Sequence, residues 1–192
     1  MGSDLRKRIE EEATISGDII RVDTFLNHQL DLKLIDQIGA DLAKAYRGKK
    51  VTKVLTSESS GIPIACFTAY ALGVPAIYAK RFMTGYMESD VYSAEVHSFS
   101  LEKSFTLRVN KKCLDGDDVV LVVDDILSNG QDILGLLEIV ARAGAEVAGV
   151  AVAIEKANKD GGRVLRQMGI PLYSVVTVDG IEDGVVKFKE KD

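Results

Sequence analysis

Val120-Leu121-Val122-Val123-Asp124-Asp125-Ile126-Leu127-Ser128-Asn129-Gly130-Gln131 decides the fold. Val120 to Val123 are consecutive apolar residues, the composition of a strand buried on both faces in a parallel sheet. Two adjacent carboxylates, Asp124 and Asp125, stand where that strand is expected to end. A short polar turn with Gly130 follows, and Asp132-Ile133-Leu134-Gly135-Leu136-Leu137-Glu138-Ile139-Val140 opens a helix. Ligands of open α/β sheets bind outside the carboxyl ends of the strands. A helix N-terminus offers free N–H groups and a positive dipole end to an anion. Paired acceptors beside such a cradle suit a phosphorylated sugar, with carboxylates for hydroxyls and amides for phosphate. A plainer reading stands beside this one: Asp often ends a buried strand because it caps the next helix.

Outward from this turn, strand and helix patterns alternate. Strand Val51 to Thr56 leads through Ser57-Glu58-Ser59-Ser60-Gly61 into helix Ile62 to Leu72, and strand Val74 to Ala79 follows. Strand Val119 to Val123, the helix to Gly144, strand Val147 to Glu155, helix Gly162 to Met168 and strand Tyr173 to Val178 close the series. The alternation predicts an α/β fold: a mainly parallel twisted sheet with helices on both faces. Ahead of it lie a charged amphipathic helix, Asp4 to Ala13, an apolar piece, Ile15 to Val22, and a helix, Leu32 to Tyr46. One domain over residues 1–192 is expected, its N-terminal ~30 and C-terminal ~20 residues forming a small hood over one sheet edge. Lys80 to Val109 is long for a connection. A hairpin of Val91 to Phe99 against Phe105 to Val109 is expected there, either simply solvated or part of a mobile lid that excludes water.

The 192 residues suffice for one packed α/β domain, and 46% hydrophobic with 28% charged residues excludes global disorder. A net charge of -5 without a basic stripe argues against nucleic acid as a partner. Cys66 and Cys113 form no disulfide framework and fit a reducing cytoplasm. Two histidines, His28 and His97, and no CxxC make a protein-held metal site unexpected. No apolar run is long enough to be read as a membrane span or signal segment. Walker A and GxGxxG patterns are absent, as are Ser/His/Asp and Cys/His constellations.

Ser57-Glu58-Ser59-Ser60-Gly61-Ile62-Pro63 is a second strand-to-helix turn. Its small residues leave backbone N–H groups uncovered, a second anion site on the same rim. Its alternative is a Ser cap with Pro in the first helical turn. Two phosphate sites at one rim suit a substrate with a phosphate at one end and a diphosphate at the other.

Val122 to Gln131 resembles the ribose-phosphate signature of type I phosphoribosyltransferases, and Thr56 to Pro63 resembles their pyrophosphate loop. The resemblance covers nearly the whole chain. It is closest to the xanthine-using bacterial members, through Leu5 to Glu12, Val22 to Gln29, Ser128-Asn129-Gly130-Gln131 and Ile154-Glu155-Lys156. Asn129-Gly130-Gln131 departs from the Thr-Gly-Gly or Thr-Gly-Thr of most relatives, which favours xanthine over adenine as the base.

The resemblance implies transfer of a phosphoribosyl group from 5-phosphoribosyl 1-pyrophosphate (PRPP) to xanthine in purine salvage, giving xanthosine 5'-monophosphate and pyrophosphate. The 5-phosphate would rest on the amides of Ser128, Asn129, Gly130, Gln131 and Asp132. Asp124 and Asp125 would be the catalytic pair beside the ribose hydroxyls. Pyrophosphate would leave against Glu58, Ser59, Ser60 and Gly61, with Lys80 or Arg81 adding charge. The purine would meet the backbone near Ile20, the Asn27 amide at its 2-oxo group and Lys156 at its 6-oxo group. Mg2+ would arrive on PRPP, without a dedicated protein metal site. The plain alternatives are solvated strand-end charges for Lys80, Arg81 and Lys156, and a turn former for Asn27. The resemblance also implies a cis Glu58–Ser59 peptide and a homodimer in which the long loop reaches the partner's site. Ser128 stands where hypoxanthine–guanine members carry an Asp, and xanthine, the more acidic base, would supply its own ionisation. The rival readings are a hypoxanthine/guanine enzyme and a PRPP-sensing regulator of the same fold that binds DNA, although this chain shows no DNA-reading segment.

Overall fold

The computed structural model describes residues 2–82, 90–98 and 103–189. Helix α1 (Ser3–Glu12) comes first, with Leu5 and Ile9, one turn apart, both buried. Strands β1 (Thr14–Ser16) and β2 (Ile19–Arg21) form a small antiparallel ribbon turned at Gly17-Asp18, and a single π-helical turn, Asp23–Asn27, follows. Helix α2 (Leu32–Ala45) is capped by Asp31, whose Oδ1 accepts from the backbone N–H groups of Lys33 and Leu34. The alternating core then runs β3 (Lys53–Ser57), α3 (Gly61–Leu72) and β4 (Ala76–Ala79). A hairpin of β5 (Val91–Ser98) and β6 (Lys103–Asn110) precedes β7 (Val119–Leu127) and α4 (Gln131–Ala143). The chain closes with β8 (Glu146–Lys156), α5 (Asp160–Gln167), β9 (Leu172–Glu182) and β10 (Val185–Phe188).

The central sheet has the order β10-β9-β8-β7-β3-β4, parallel except for β10. Alternate residues of β7 feed opposite cores. Leu121 and Val123 join the cluster beneath α1, α2 and α3, whereas Val120 and Val122 join the cluster beneath α4 and α5. From β3 the order proceeds to β4 on one side. From β7 it proceeds to β8 and β9 on the other. The carboxyl ends of β3 and β7 therefore flank the point where the strand order reverses, the place where an open α/β sheet leaves a crevice.

The α/β class and its parallel sheet are as expected, but three elements differ from the sequence reading. β7 does not end at Val123: it continues through Asp124 and Asp125 to Leu127, because β8 extends alongside it, pairing Asp124 with Val152 and Leu127 with Glu155. The acidic pair is consequently part of a buried strand rather than of a polar turn. β9 runs past Val178 to Glu182, turns at Asp183-Gly184 and returns as β10. The C-terminal segment thus forms an edge of the main sheet, with Arg6 of α1 stacked 4.9 Å above the Phe188 ring. The β5–β6 stem is not a free loop. Ala94, Val96, Leu107 and Val109 are buried in the core cluster that includes α4. The lid expectation falls in part on residues 83–89 and 99–102, Phe99 among them, which lie outside the described residues.

At the amino ends of β3 and β7, Asp118 accepts hydrogen bonds from Thr52 Oγ1 at 2.8 Å, Lys53 Nζ at 2.6 Å and the Asp115 N–H at 3.0 Å. Thr52 also exchanges backbone and side-chain bonds with Val119. These contacts fix the register in which Lys53 faces Val120 and Leu55 faces Val122.

Candidate functional site

Two helices begin at the crevice, and neither start is capped by a side chain. Ser60 occupies the cap position of α3 and Gly130 that of α4. The capping alternative for the serine turn is thereby corrected: Ser60 makes no cap hydrogen bond. The same holds for the reading of the strand-end aspartates as a helix cap. The contrast with Asp31 on α2 is informative, since losing such a cap costs about 1 kcal/mol. Here residues of both turns line a cavity of about 260 Å³ instead. Ser57 and Ser60 line it from one turn, Ser128 to Ile133 from the other, Asp124, Asp125 and Ile126 from β7, and Arg81 closes one wall.

Backbone geometry builds both turns. Gly130 has φ +78°, the left-handed region that favours glycine. The Gly161 N–H donates to the Ser128 carbonyl at 2.9 Å, so the start of α5 braces the Ser128 to Gly130 turn. Gly61 is needed for close approach: a Cβ there would fall on the Thr56 hydroxyl and stand 2.8 Å from Asp124 Oδ1. The Glu58–Ser59 peptide is cis.

Asp124 and Asp125 are 8% and 7% exposed. The Asp125 N–H donates to Asp124 Oδ1 at 3.0 Å. Burial, then the charge and hydrogen bond of Asp125, then Asp132, push the Asp124 carboxyl well above its ordinary value. An added positive charge at this wall would favour the ionised form. Among the described residues no cluster of three or more His, Cys, Asp or Glu could hold a metal ion. Two carboxylates without a cage fit a cation that brings most of its ligands with it.

Arg81 connects the two turns. Its N–H donates to Glu58 Oε1 at 2.5 Å, and its guanidinium donates to Asp132 Oδ2 at 2.6 Å. Asp132 also accepts from Ser57 Oγ at 3.2 Å. The guanidinium stacks 4.4 Å from the Phe105 ring, and Arg108 donates to the Arg81 carbonyl. Glu58, Ser59, Ser60, Arg81 and Phe82 line an adjoining hollow. Lys80 does not share this wall. It lines a separate hollow with Tyr78, Arg108 and Cys113, its ammonium 5.9 Å from the Tyr78 ring.

The residues expected at the purine, Ile20, Asn27 and Lys156, are not among those lining this cavity. Lys156, at the end of β8, donates to the Asp18 carbonyl at 2.8 Å, and Lys159 pairs with the Asp18 carboxylate at 2.9 Å. These bonds tie the tip of the β1–β2 ribbon to the sheet. Burial, then the nearby Lys159 charge, lower the Lys156 ammonium below its ordinary value, against the pull of Asp18. Ile20, on β2, is buried in the core cluster that holds Ile154 and Val178. Asn27 closes the π-helical turn, and its buried Oδ1 has no hydrogen-bond partner among the described residues. Ser57, Phe105 and Arg108 were not singled out in the sequence. Ser57 was within reach, as the last residue of a strand leading into the serine turn, whereas nothing local marks the other two.

A family model described as "Phosphoribosyl transferase domain" matches residues 21–168. The chain belongs to the phosphoribosyltransferase family. It is 45% identical over 185 residues to a xanthine phosphoribosyltransferase of Oceanobacillus iheyensis, covering 96% of this chain and 95% of that one. It is 41% identical over 187 residues to a xanthine phosphoribosyltransferase of Ruminiclostridium cellulolyticum, covering 97% and 98%. Among solved structures, the adenine phosphoribosyltransferase of Thermoanaerobacter pseudethanolicus aligns with a TM-score of 0.75 at 21% identity, over 92% of this chain and 99% of that one. At that identity the likeness speaks for the phosphoribosyltransferase fold alone.

Proposed function

We propose that this phosphoribosyltransferase joins xanthine to the ribosyl carbon of PRPP, releasing pyrophosphate and forming xanthosine 5'-monophosphate. The observation that carries the reading is the crevice where two uncapped helix starts meet a buried carboxylate pair, in a chain 45% identical to a xanthine phosphoribosyltransferase. The 5-phosphate rests on the amides of Ser128 to Asp132. Asp124 and Asp125 face the ribose hydroxyls and the positive charge that grows as the glycosidic bond loosens. The departing pyrophosphate lies against Glu58 to Gly61, near Arg81. Catalysis is mainly positioning and charge stabilisation. Mg2+, when bound with PRPP, neutralises diphosphate charge; Asp124 and Asp125 are the residues that would face it.

The Asn27 amide, whose buried oxygen has no partner among the described residues, can accept from a purine N–H while its nitrogen donates to the 2-oxo group. Lys156 exchanges the Asp18 carbonyl for the 6-oxo group. Ser128 is a poor base, so the base arrives already ionised, as xanthine can near neutral pH. We infer a cytoplasmic homodimer, consistent with free thiols at Cys66 and Cys113. No described helix is long and apolar enough to cross a membrane.

Pyrophosphate release assayed with xanthine, guanine, hypoxanthine and adenine in turn tests the reading, with xanthine giving the highest kcat/KM. A preference for guanine or hypoxanthine would move the enzyme to its rival class. Ser128→Asp should improve hypoxanthine relative to xanthine. The opposite change would remove substrate ionisation from the account. Sedimentation should give twice the mass of one chain.

A further inference from the structure

Asp124 and Asp125 line the cavity from β7, but Asp132 stands in the first turn of α4, where the 5-phosphate is placed and a free carboxylate would repel it. An acidic residue there favours the helix dipole, and that role alone would leave its side chain in solvent. Instead its Oδ2 accepts both Ser57 Oγ and the Arg81 guanidinium, which brings together the end of β3, the start of α4 and the residue after Lys80. Arg81 is built for a terminal swing. Its main chain is held at both polar atoms, by Glu58 Oε1 and by the Arg108 guanidinium, and its planar head lies on the Phe105 ring. Its Nε is buried and donates to nothing among the described residues. Arg81 lines both the main cavity and the adjoining hollow of the serine turn. A small rotation would exchange the Asp132 oxygen for an oxygen in either.

We propose that Asp132 is a resident anion that parks Arg81 in the empty protein, and that the diphosphate of the substrate takes Arg81 over from it. Building on the PRPP reading above, this assigns Asp132 a positioning role through its side chain, distinct from its backbone amide. The arrangement withholds a strong donor from the cavity until a competing anion arrives, so binding is paid for in part by a broken ion pair. Asp132 then keeps Ser57 as its partner, and Arg81 gains ligand oxygens, including one for its idle Nε.

The test is a double-mutant cycle read by binding of inorganic pyrophosphate with Mg2+ and by the KM for PRPP. Asp132→Asn keeps an acceptor for Ser57 but removes the charge. It should tighten pyrophosphate binding and lower the PRPP KM by about three- to tenfold, the range of a partly exposed ion pair, with a smaller change in kcat. Asp132→Ser should do the same, with melting curves checking that both variants fold. Arg81→Gln should weaken binding, and adding Asp132→Asn to it should bring no further gain. An equal gain in both backgrounds would mean that Asp132 merely repels the ligand, and the parking role falls. Weaker binding by Asp132→Asn would overturn it as well, since Asp132 would then be holding Arg81 toward the ligand. A wild-type protein that binds neither pyrophosphate nor PRPP would instead sink the reading of the cavity, and the proposal with it.

Discussion

Asp124 is held in a state that favours its proton, because burial and two neighbouring carboxylates disfavour its charge. The unfolded chain releases that proton near its ordinary value, about pH 3.9. The folded protein keeps it to higher pH. Between the two values the folded state holds a proton that the unfolded state has lost, so stability falls as pH rises through that window. Asp124→Asn removes this loss and still offers an oxygen to the Asp125 N–H. The variant should melt at a higher temperature than the wild type near pH 7, and the gap should close near pH 3, while pyrophosphate release falls sharply. Equal melting temperatures at both pH values, or undiminished turnover, would contradict this. At the end of β8, Lys156→Ala should raise the KM for the base more than that for PRPP. Asn27→Ala should reduce the preference for xanthine over hypoxanthine in kcat/KM. The acidic pair was legible because it interrupts an apolar run. Its burial was not, because that depends on how far β8 extends beside it. Arg81 was legible only as a charge after a strand, since its partners Asp132, Phe105 and Arg108 come from distant segments.

Among the elements, boundaries moved where a neighbour decided them. Alternating patterns located β3, α3, β7, α4 and β8, because each buries a face that its own sequence displays. β10 escaped notice because a short edge strand needs only one partner and half a core. The β5–β6 stem was legible as a hairpin, but its seat on α4 was not. That seat depends on Gly135, where a Cβ would stand 2.5 Å from Val96 Cγ2 and 3.2 Å from Leu107 Cδ1. Val96 is β-branched and has few ways to yield. Gly135→Ala should therefore push the hairpin off α4 at a cost of about 1–3 kcal/mol. A lowered denaturation midpoint, with faster amide exchange in residues 91–98, is the expected signature. Unchanged exchange there would mean that the stem tolerates the methyl group.

On the scale of the whole molecule, the two loops that form the crevice belong to strands joined far below it. Asp118 holds Lys53 and Thr52 at the opposite end of β3 and β7. From Thr52 to Ser57 the chain climbs five residues, roughly 17 Å at strand rise. The Asp118 carboxyl lies below its ordinary value: burial pulls it up, but Lys53, the Asp115 amide and Thr52 outweigh that. Its contribution is present above the ordinary carboxylate range and lost as pH falls through the lower folded value. Asp118→Asn should cost about 1–3 kcal/mol at neutral pH, with a smaller penalty in acid; a penalty that grew in acid would count against this account. A single-residue slip between two strands turns every side chain to the wrong face. The contacts at Asp118 thus serve as the zero mark of a ruler whose far end reads out where Ser57 and Asp124 stand. Substitutions that detune turnover without touching any ligand should accumulate there, at the end of the sheet from which the spacing of the crevice is measured.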